Sequence, residues 1–187
     1  MGKVCCFTGY RPHRFEFTPD GLRPEQVQAV LGEMIRTLYD EGYRTFISGM
    51  SAGVDLWAAA EVLTLREIDP AVELVAAVPF AGQESHWSIP LQREYRRILD
   101  ACQQVEYLFD EKEAAADPSA CYRGRNHWMV ARADTVVAVC EIDVADNRTG
   151  TAATVRYARR LQKRIFYVHP RTLAVTEETV QQMEFLL

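Results

Sequence analysis

Short apolar runs alternate with segments of helical periodicity along nearly the whole of this chain. Residues 3–8 form the first apolar run, which ends at Gly9. Pro24 then opens a segment whose apolar residues fall on one helical face, and Gly42 stands where that helix would end. Because the short runs are apolar throughout, they are typical of strands that are buried on both faces. Strands of this kind that alternate with helices favour a parallel sheet covered by helices on both sides.

The alternation repeats often enough to predict an order of elements. It favours an α/β fold, a Rossmann-like three-layer sandwich around a mostly parallel sheet of about six strands with right-handed crossovers. We interpret the acidic, alanine-rich segment 110–118 as a mobile loop, 141–149 as a polar loop, and the tail after Pro170 as a turn and a final helix. The predicted strands are 3–8, 44–48, 72–78, 104–109, 135–140 and 165–168, and the predicted helices lie from Pro24 to Gly42, after Gly53, and at 89–102, 122–133 and 150–163.

We expect one domain, 1–187, because of the length of the chain and because no sequence feature divides it. Its 187 residues are an ordinary size for a domain, and no internal repeat, linker or low-complexity stretch divides them. No apolar run approaches the roughly 18 residues of a membrane-spanning helix, and no N-terminal stretch has the order of a signal peptide. We therefore expect a cytoplasmic protein without a membrane partner. The sequence is compatible with a homo-oligomer but does not indicate one.

Net charge and cysteine spacing argue against nucleic acid and metal as ligands. The formal charge of −5 disfavours a broad basic surface, so strong sequence-independent binding to DNA or RNA is not expected. The five cysteines include no CxxC pair and no histidine at the spacing of a tetrahedral zinc site. Neither a metal nor another cofactor is predicted. Cys5 and Cys6 are adjacent in a predicted strand, so their side chains should point to opposite faces of the sheet.

Small residues are concentrated in three turns that follow predicted strands. In an open parallel sheet, ligands lie at the carboxyl ends of the strands, where helix amino termini aim unpaired N–H groups. Small residues at these turns let the backbone approach a phosphate or carboxylate closely. The alternative is that the glycines merely permit tight strand-to-helix turns. The candidate ligand-binding residues are Thr8 and Gly9 after the first strand, Ser48, Gly49 and Gly53 after the second, and Thr149, Gly150 and Thr151 after the fifth.

Charged and polar side chains near these turns extend the candidate site. Arg11 and Arg14 follow the first turn and could supply positive charge to an anionic ligand, unless they are solvated loop arginines. Asp55 lies near the start of the second helix, where it could cap that helix or accept a hydrogen bond from a ribose hydroxyl. Arg125 and Asn126 are expected to begin the helix before the fifth strand and could reach the crevice. A surface helix start is the competing interpretation.

Few residues suggest catalysis. Glu61 and Glu84 are the carboxylates to consider for acid or base chemistry, although neither has a visible partner in the sequence. Tyr10 and Trp87 lie in predicted strand-end loops and could stack on a base or pack within the domain. The four histidines accompany no nucleophile elbow, so a hydrolase triad is not supported. The GxGxxG and GxxxxGK[ST] motifs are both absent, which disfavours an NAD dehydrogenase and a P-loop NTPase.

Four fragments, in order, carry a resemblance to a known family. They are CCFTGYRP at 5–12, SGMSAGVDLW at 48–57, RNHWMV at 125–130 and GTAATVRYA at 150–158. Together they resemble the YpsA-like family, also called DUF1273, of the SLOG superfamily, over nearly the whole chain. The resemblance implies a Rossmann-like fold with a pocket for a nucleotide or nucleotide-derived ligand, formed by the first-strand turn, the glycine-rich second turn and the Gly-Thr turn. Relatives in the wider superfamily include the LOG phosphoribohydrolases and the DNA-processing protein DprA.

The sequence departs from the family pattern at two positions. Thr149 stands where a second glycine is usual before the Gly-Thr pair, and Ala131 stands where an aspartate commonly follows Met-Val. A threonine at the first position could donate a hydroxyl hydrogen bond to a phosphate or could narrow the site. Both departures bear on the identity of the ligand.

Three functions are compatible with these observations. The first is a binding or sensing module for a small nucleotide-like anion. This interpretation favours a protein that binds its ligand without catalysing a reaction. The second is a LOG-like hydrolase that cleaves the N-glycosidic bond of a nucleoside monophosphate, with Asp55, Glu61 or Glu84 near the ribose. However, the chain lacks the Pro-Gly-Gly-x-Gly-Thr stretch of those enzymes. The third is single-stranded nucleic-acid binding as in DprA, against which the acidic balance argues.

Overall fold

A computed structural model describes residues 2–141 and 149–179 of the chain. Strands and helices alternate along these ranges, and a short 3-10 turn, Pro12–Arg14, follows the first strand. The strands are β1 (Lys3–Gly9), β2 (Tyr43–Ser48), β3 (Glu73–Val78), β4 (Gln104–Tyr107), β5 (Thr135–Val139), β6 (Arg164–Val168) and β7 (Val175–Glu178). The helices are α1 (Pro24–Asp40), α2 (Val54–Ile68), α3 (Ile89–Ala101), α4 (Glu111–Ala116), α5 (Pro118–Arg132) and α6 (Gly150–Arg160).

The strands form one sheet in the order β4-β3-β2-β1-β5-β6-β7. All neighbouring strands pair in parallel except β7, which is antiparallel to β6. The chain runs outward from β1 to β4 on one side and then returns to place β5 on the other side of β1. The carboxyl ends of β1 and β5 therefore flank the topological switch point, where sheets of this kind form a ligand crevice.

Two apolar layers cover the sheet. Helices α1, α2 and α3 pack in one layer, and α5 packs against α6 in the other. Val27 and Val62 belong to the first core cluster, and Met129 to the second. Cys5 belongs to the first cluster and Cys6 to the second, which confirms that adjacent strand residues point to opposite faces. The predicted three-layer α/β fold is confirmed, with seven strands in place of about six.

The prediction of a mobile loop at 110–118 is wrong. Asp110 accepts a hydrogen bond from the backbone N–H of Glu113 at 2.8 Å, and the Glu113 carboxylate accepts one from the N–H of Asp110 at 2.9 Å. This reciprocal capping box starts α4 in a segment whose alanines favour a helix. Asp117 then caps α5 by accepting a hydrogen bond from Ala120 N–H at 2.9 Å, and Pro118 occupies the first helical position.

The early start of α5 corrects a second prediction. Arg125 and Asn126 lie in the middle of α5 and not at its beginning, because the Asp117 cap places the start of the helix at Pro118. At the carboxyl end, β7 was not predicted. Its sequence, VTEE, lies at a largely exposed sheet edge and has no apolar run to mark it. Residues 142–148 of the predicted loop at 141–149, and residues 180–187 of the tail predicted as a turn and a final helix, lie outside the described residues.

Other chemical features of the described ranges are simple. No helix there is long and apolar enough to cross a membrane. Within the same ranges, no group of three or more His, Cys, Asp or Glu side chains is placed to hold a metal ion. The five cysteines are free thiols, four of them buried. Burial raises the pKa of the Cys140 thiol to about 12, so this thiol is inert at neutral pH.

Candidate functional site

A cleft of about 550 Å³ opens where β1 and β5 end. The turn after β1, the 3-10 turn, the first half of α5 and the start of α6 form its walls. The structure therefore brings together segments that are far apart in the sequence, as the switch point of the sheet requires. Of the residues predicted from the sequence, those that line the cleft are Thr8, Gly9, Arg11, Arg14, Asp55, Arg125, Asn126, Thr149, Gly150 and Thr151.

The lining of the cleft is positively charged. Four arginines contribute to it, namely Arg11, Arg14, Arg123 and Arg125, and Asp55 is the one carboxylate among the described lining residues. The whole chain carries a charge of −5, so the cleft is opposite in sign to the protein around it. A concave positive site with low-dielectric walls attracts small anions.

Arg125 is the buried member of this group, with only 3% of its surface exposed. Its Nη1 donates to Oδ2 of Asp55 at 3.0 Å, and its Nη2 donates to the Ser51 hydroxyl at 2.9 Å. Its Nε–H is buried and has no acceptor among the described residues. Burial lowers the pKa of the Arg125 guanidinium, Asp55 acts in the opposite direction, and the charge of Arg11 lowers it further. A negative group in the cleft would relieve both the unmade hydrogen bond and the repulsion.

The first turn of α6 forms a second part of the cleft. Thr149 caps the helix, because its hydroxyl accepts a hydrogen bond from Ala152 N–H at 3.0 Å. The N–H groups of Gly150 and Thr151, at the first two helical positions, have no carbonyl partner within a helix and can donate to a ligand. Thr149 has φ −82° and ψ 149°, an extended conformation that any residue adopts. The threonine at this position therefore supplies a cap without straining the turn.

The glycine-bearing turn after β2 contributes Ser51 to the cleft lining, and its other residues support the cleft from behind. The Ser48 hydroxyl donates to the backbone carbonyl of Asp55 at 2.8 Å and is fully buried. A β-carbon at Gly49 would lie 1.5 Å from Nη1 of Arg125. Gly53 has φ +94°, which an L side chain rarely adopts, and serves the tight turn into α2. Ser48, Gly49 and Gly53 therefore lie outside the cleft lining and hold the Arg125–Asp55 pair in place.

The two carboxylates considered for catalysis lie away from the cleft. Glu61 is on α2 and faces α1, with Oε2 2.6 Å from where a β-carbon at Gly32 would be. Burial raises the pKa of the Glu61 carboxyl, although Arg36 opposes this shift. Glu84 follows β3, and its Oε1 lies 3.8 Å from Nη2 of Arg96. Neither glutamate is among the residues that line the cleft.

The two aromatic candidates, Tyr10 and Trp87, lie in different parts of the structure. Tyr10 lines the cleft, whereas Trp87 packs edge-on against the buried Tyr95, with ring centroids 5.5 Å apart. Trp87 is therefore a packing residue of the α3 side, as the alternative interpretation held. Tyr122 takes a place in the cleft that the sequence did not suggest. The guanidinium of Arg11 lies 5.7 Å from its ring centroid.

One face of α5 contributes Asn126, which the sequence predicted, and three residues that the sequence did not suggest. Ser119, Tyr122, Arg123 and Asn126 line the cleft together. Their spacing of i, i+3, i+4 and i+7 marks a single helical face. The signal was available in the sequence, but it becomes visible only when α5 is known to begin at Pro118. Asn126 also donates to the Thr154 hydroxyl at 2.9 Å, which links α5 to α6.

Comparisons with known proteins agree with this architecture. A family model described as the YspA SLOG family, YpsA, matches residues 5–173. A UPF0398 protein of Halalkalibacterium halodurans is 29% identical over 142 residues, which cover 75% of this chain and 74% of that protein. A UPF0398 protein of Bacillus licheniformis is 23% identical over 184 residues, or 98% of each chain.

A solved structure shares the fold at lower identity. The structure of DNA processing protein A from Helicobacter pylori, a protein with a single-stranded DNA binding mode, superposes with a TM-score of 0.59. The superposition covers 98% of this chain and 71% of that one at 17% sequence identity. At that identity, the likeness shows a common fold.

Proposed function

This chain belongs to the YpsA SLOG family, and from that premise we propose that it binds a small nucleotide or nucleotide derivative in the cleft, as a sensor or regulatory module. The observation that carries the proposal is the buried Arg125, which lines the cleft while its Nε–H has no acceptor in the described ranges. A buried donor without a partner is costly and uncommon. An anionic group of the ligand would supply the missing acceptor.

Two independent sources of positive potential support a phosphate as that group. Arg11 and Arg14 contribute formal charge from one wall, and the first turn of α6 contributes N–H groups and the positive end of its dipole from another. Tyr10 and Tyr122 give the cleft aromatic surface that could pack against a base. The cleft volume of about 550 Å³ suits a small molecule.

Binding is favoured over catalysis by the placement of the carboxylates. Cleavage of an N-glycosidic bond needs a carboxylate beside the ribose. Asp55 is the carboxylate among the described lining residues, and it is bonded to Arg125, while Glu61 and Glu84 lie elsewhere. We therefore propose no reaction at this site.

The experiment is a thermal-shift titration with inorganic pyrophosphate, AMP, ADP and ADP-ribose, followed by calorimetry for any compound that stabilises the protein. A ligand present at about a hundred times its dissociation constant should add roughly 2.7 kcal/mol to the free energy of unfolding. Arg11→Gln should weaken binding by about tenfold or more, because it removes a charged hydrogen-bond donor from the cleft. Arg11 is preferable to Arg125 for this test because its loss leaves the buried pair intact.

The matched control is Arg93→Gln, which removes one arginine from the exposed surface of α3. This variant should bind as the wild type does. The proposal is rejected if no phosphate-bearing compound stabilises the protein, or if Arg93→Gln weakens binding as much as Arg11→Gln.

A further inference from the structure

Helices α5 and α6 have a charge opposite to that of the chain as a whole. Neither helix contains an Asp or Glu residue, although the chain carries a net charge of −5. Across the sheet, α1, α2 and α3 together contain eight carboxylates. These three helices also contain five arginines, so they carry a net charge of −3, whereas α5 and α6 contain six arginines and no carboxylate. The arginines of α5 and α6 are Arg123, Arg125, Arg132, Arg156, Arg159 and Arg160.

Some of these arginines serve other contacts. Arg123 and the buried Arg125 line the cleft, and Nη2 of Arg159 donates to Oε2 of Glu178 at 2.8 Å. Arg132, Arg156 and Arg160 are exposed on the outer surface. Asp134 is the carboxylate nearest to Arg132 along the chain. Its Oδ2 accepts a hydrogen bond from the backbone N–H of Val4 in β1 at 2.8 Å. The outer surface of the two helices is therefore basic.

Aromatic rings lie beside the exposed arginines. The guanidinium carbon of Arg132 is 4.0 Å from the ring centroid of Trp128, and that of Arg160 is 5.4 Å from the ring centroid of Tyr157. His127 stacks on Tyr157 with centroids 4.0 Å apart and planes inclined by 25°. Trp128 and Tyr157 are half-buried and pack against the second core cluster, which holds their rings in place. We name His127, Trp128, Arg132, Tyr157 and Arg160 the α5–α6 face.

We propose that the α5–α6 face binds single-stranded nucleic acid. Exposed arginines neutralise backbone phosphates, and aromatic or guanidinium planes beside them accept unpaired bases by stacking. The carboxylates of an acidic protein would pair with the arginines but would not stack on the aromatic rings. No residue of the α5–α6 face lines the cleft, so this proposal does not depend on the small ligand proposed above.

The test is fluorescence anisotropy with labelled oligo(dT) and oligo(rU) of about 20 nucleotides, from about 25 to 200 mM salt, with a duplex of equal length for comparison. We expect the single strands to bind more tightly than the duplex. The double variant Arg132→Ala/Arg160→Ala should lose about tenfold or more in affinity, and its log–log salt slope should be shallower by about 1.4, or 0.7 for each phosphate that is no longer neutralised. Trp128→Ala should weaken binding without changing the slope, and Trp128→Phe should restore most of the affinity.

Two controls make the result decisive. Arg93→Ala on α3 removes an exposed charge from the opposite layer and should leave binding unchanged. Poly-glutamate at equal charge concentration should compete poorly. Absence of binding at low salt, equal binding of the duplex, an equal decrease in affinity for Arg93→Ala, or effective displacement by poly-glutamate would each overturn the proposal. The last of these outcomes would identify the face as a site for an acidic protein.

Discussion

The guanidinium of Arg125 occupies the space that a side chain at Gly49 would need, since a β-carbon there would lie 1.5 Å from Nη1. Gly49→Ala must therefore displace the buried arginine and break its hydrogen bond to Asp55. We expect the free energy of unfolding to fall by about 3 kcal/mol, the range for overpacking combined with a disrupted buried pair. Urea denaturation measures this decrease. Gly2→Ala, which has no neighbour within 4 Å, should leave the midpoint unchanged.

Asp55 compensates the charge of Arg125 in a site where both side chains are less than a tenth exposed. Asp55→Ala leaves that charge buried without a counterion, and we expect a decrease of about 3–5 kcal/mol in the free energy of unfolding. Glu94→Ala, which breaks the exposed pair with Arg97, should cost less than about 1 kcal/mol. If the two substitutions cost the same amount, the buried pair is not the support of the cleft that we describe.

Thr149 contributes to α6 through one hydrogen bond from the backbone to its hydroxyl. Thr149→Val keeps the shape of the side chain but removes the acceptor, so the free energy of unfolding should fall by about 1 kcal/mol, whereas Thr149→Ser should retain most of it. Thr149→Gly should cost only about a few tenths of a kcal/mol relative to wild type. Chemical denaturation of the three variants checks the order. A valine variant as stable as wild type would show that the cap contributes nothing.

The contribution of Glu61 to the free energy of unfolding should decrease as pH rises, whereas that of a paired carboxylate increases. Burial raises its pKa in the folded state above the unfolded value, so its favourable contribution is complete below the unfolded pKa and is lost as pH rises through the folded pKa. Glu61→Gln keeps the neutral form at every pH. Its melting temperature should exceed that of wild type at pH 7, and the difference should shrink toward pH 4.

The control for this pH dependence is Glu33→Gln at an exposed position on α1, which should leave the melting curve nearly unchanged. Glu61→Gln should also bind the cleft ligand as wild type does, because Glu61 does not line the cleft. A loss of ligand binding in Glu61→Gln with unchanged stability would contradict this placement.

The fold was predictable wherever a local signal was strong. The helix from Pro24 showed its buried face in the sequence, and its end at Gly42, with φ +91°, followed from glycine's access to that conformation. The α4 helix was missed because its acidic composition is typical of a loop, although the Asp110 and Glu113 capping box was present in the sequence. The β7 strand carried no apolar signal, and its place is decided by pairing with β6.

The candidate site, like the fold, was predictable from the sequence only in part. The sequence alone determined that small-residue turns follow β1, β2 and β5, because the type of residue that fits a tight strand-to-helix turn is a local property of the backbone. Only the tertiary structure decided that the first and third turns line a common cleft, to which the second turn contributes Ser51, while Ser48, Gly49 and Gly53 lie behind it and hold Arg125. That division depends on strand order and on the packing of a side chain from α5 against Gly49, and contacts between residues so distant along the chain leave no local pattern.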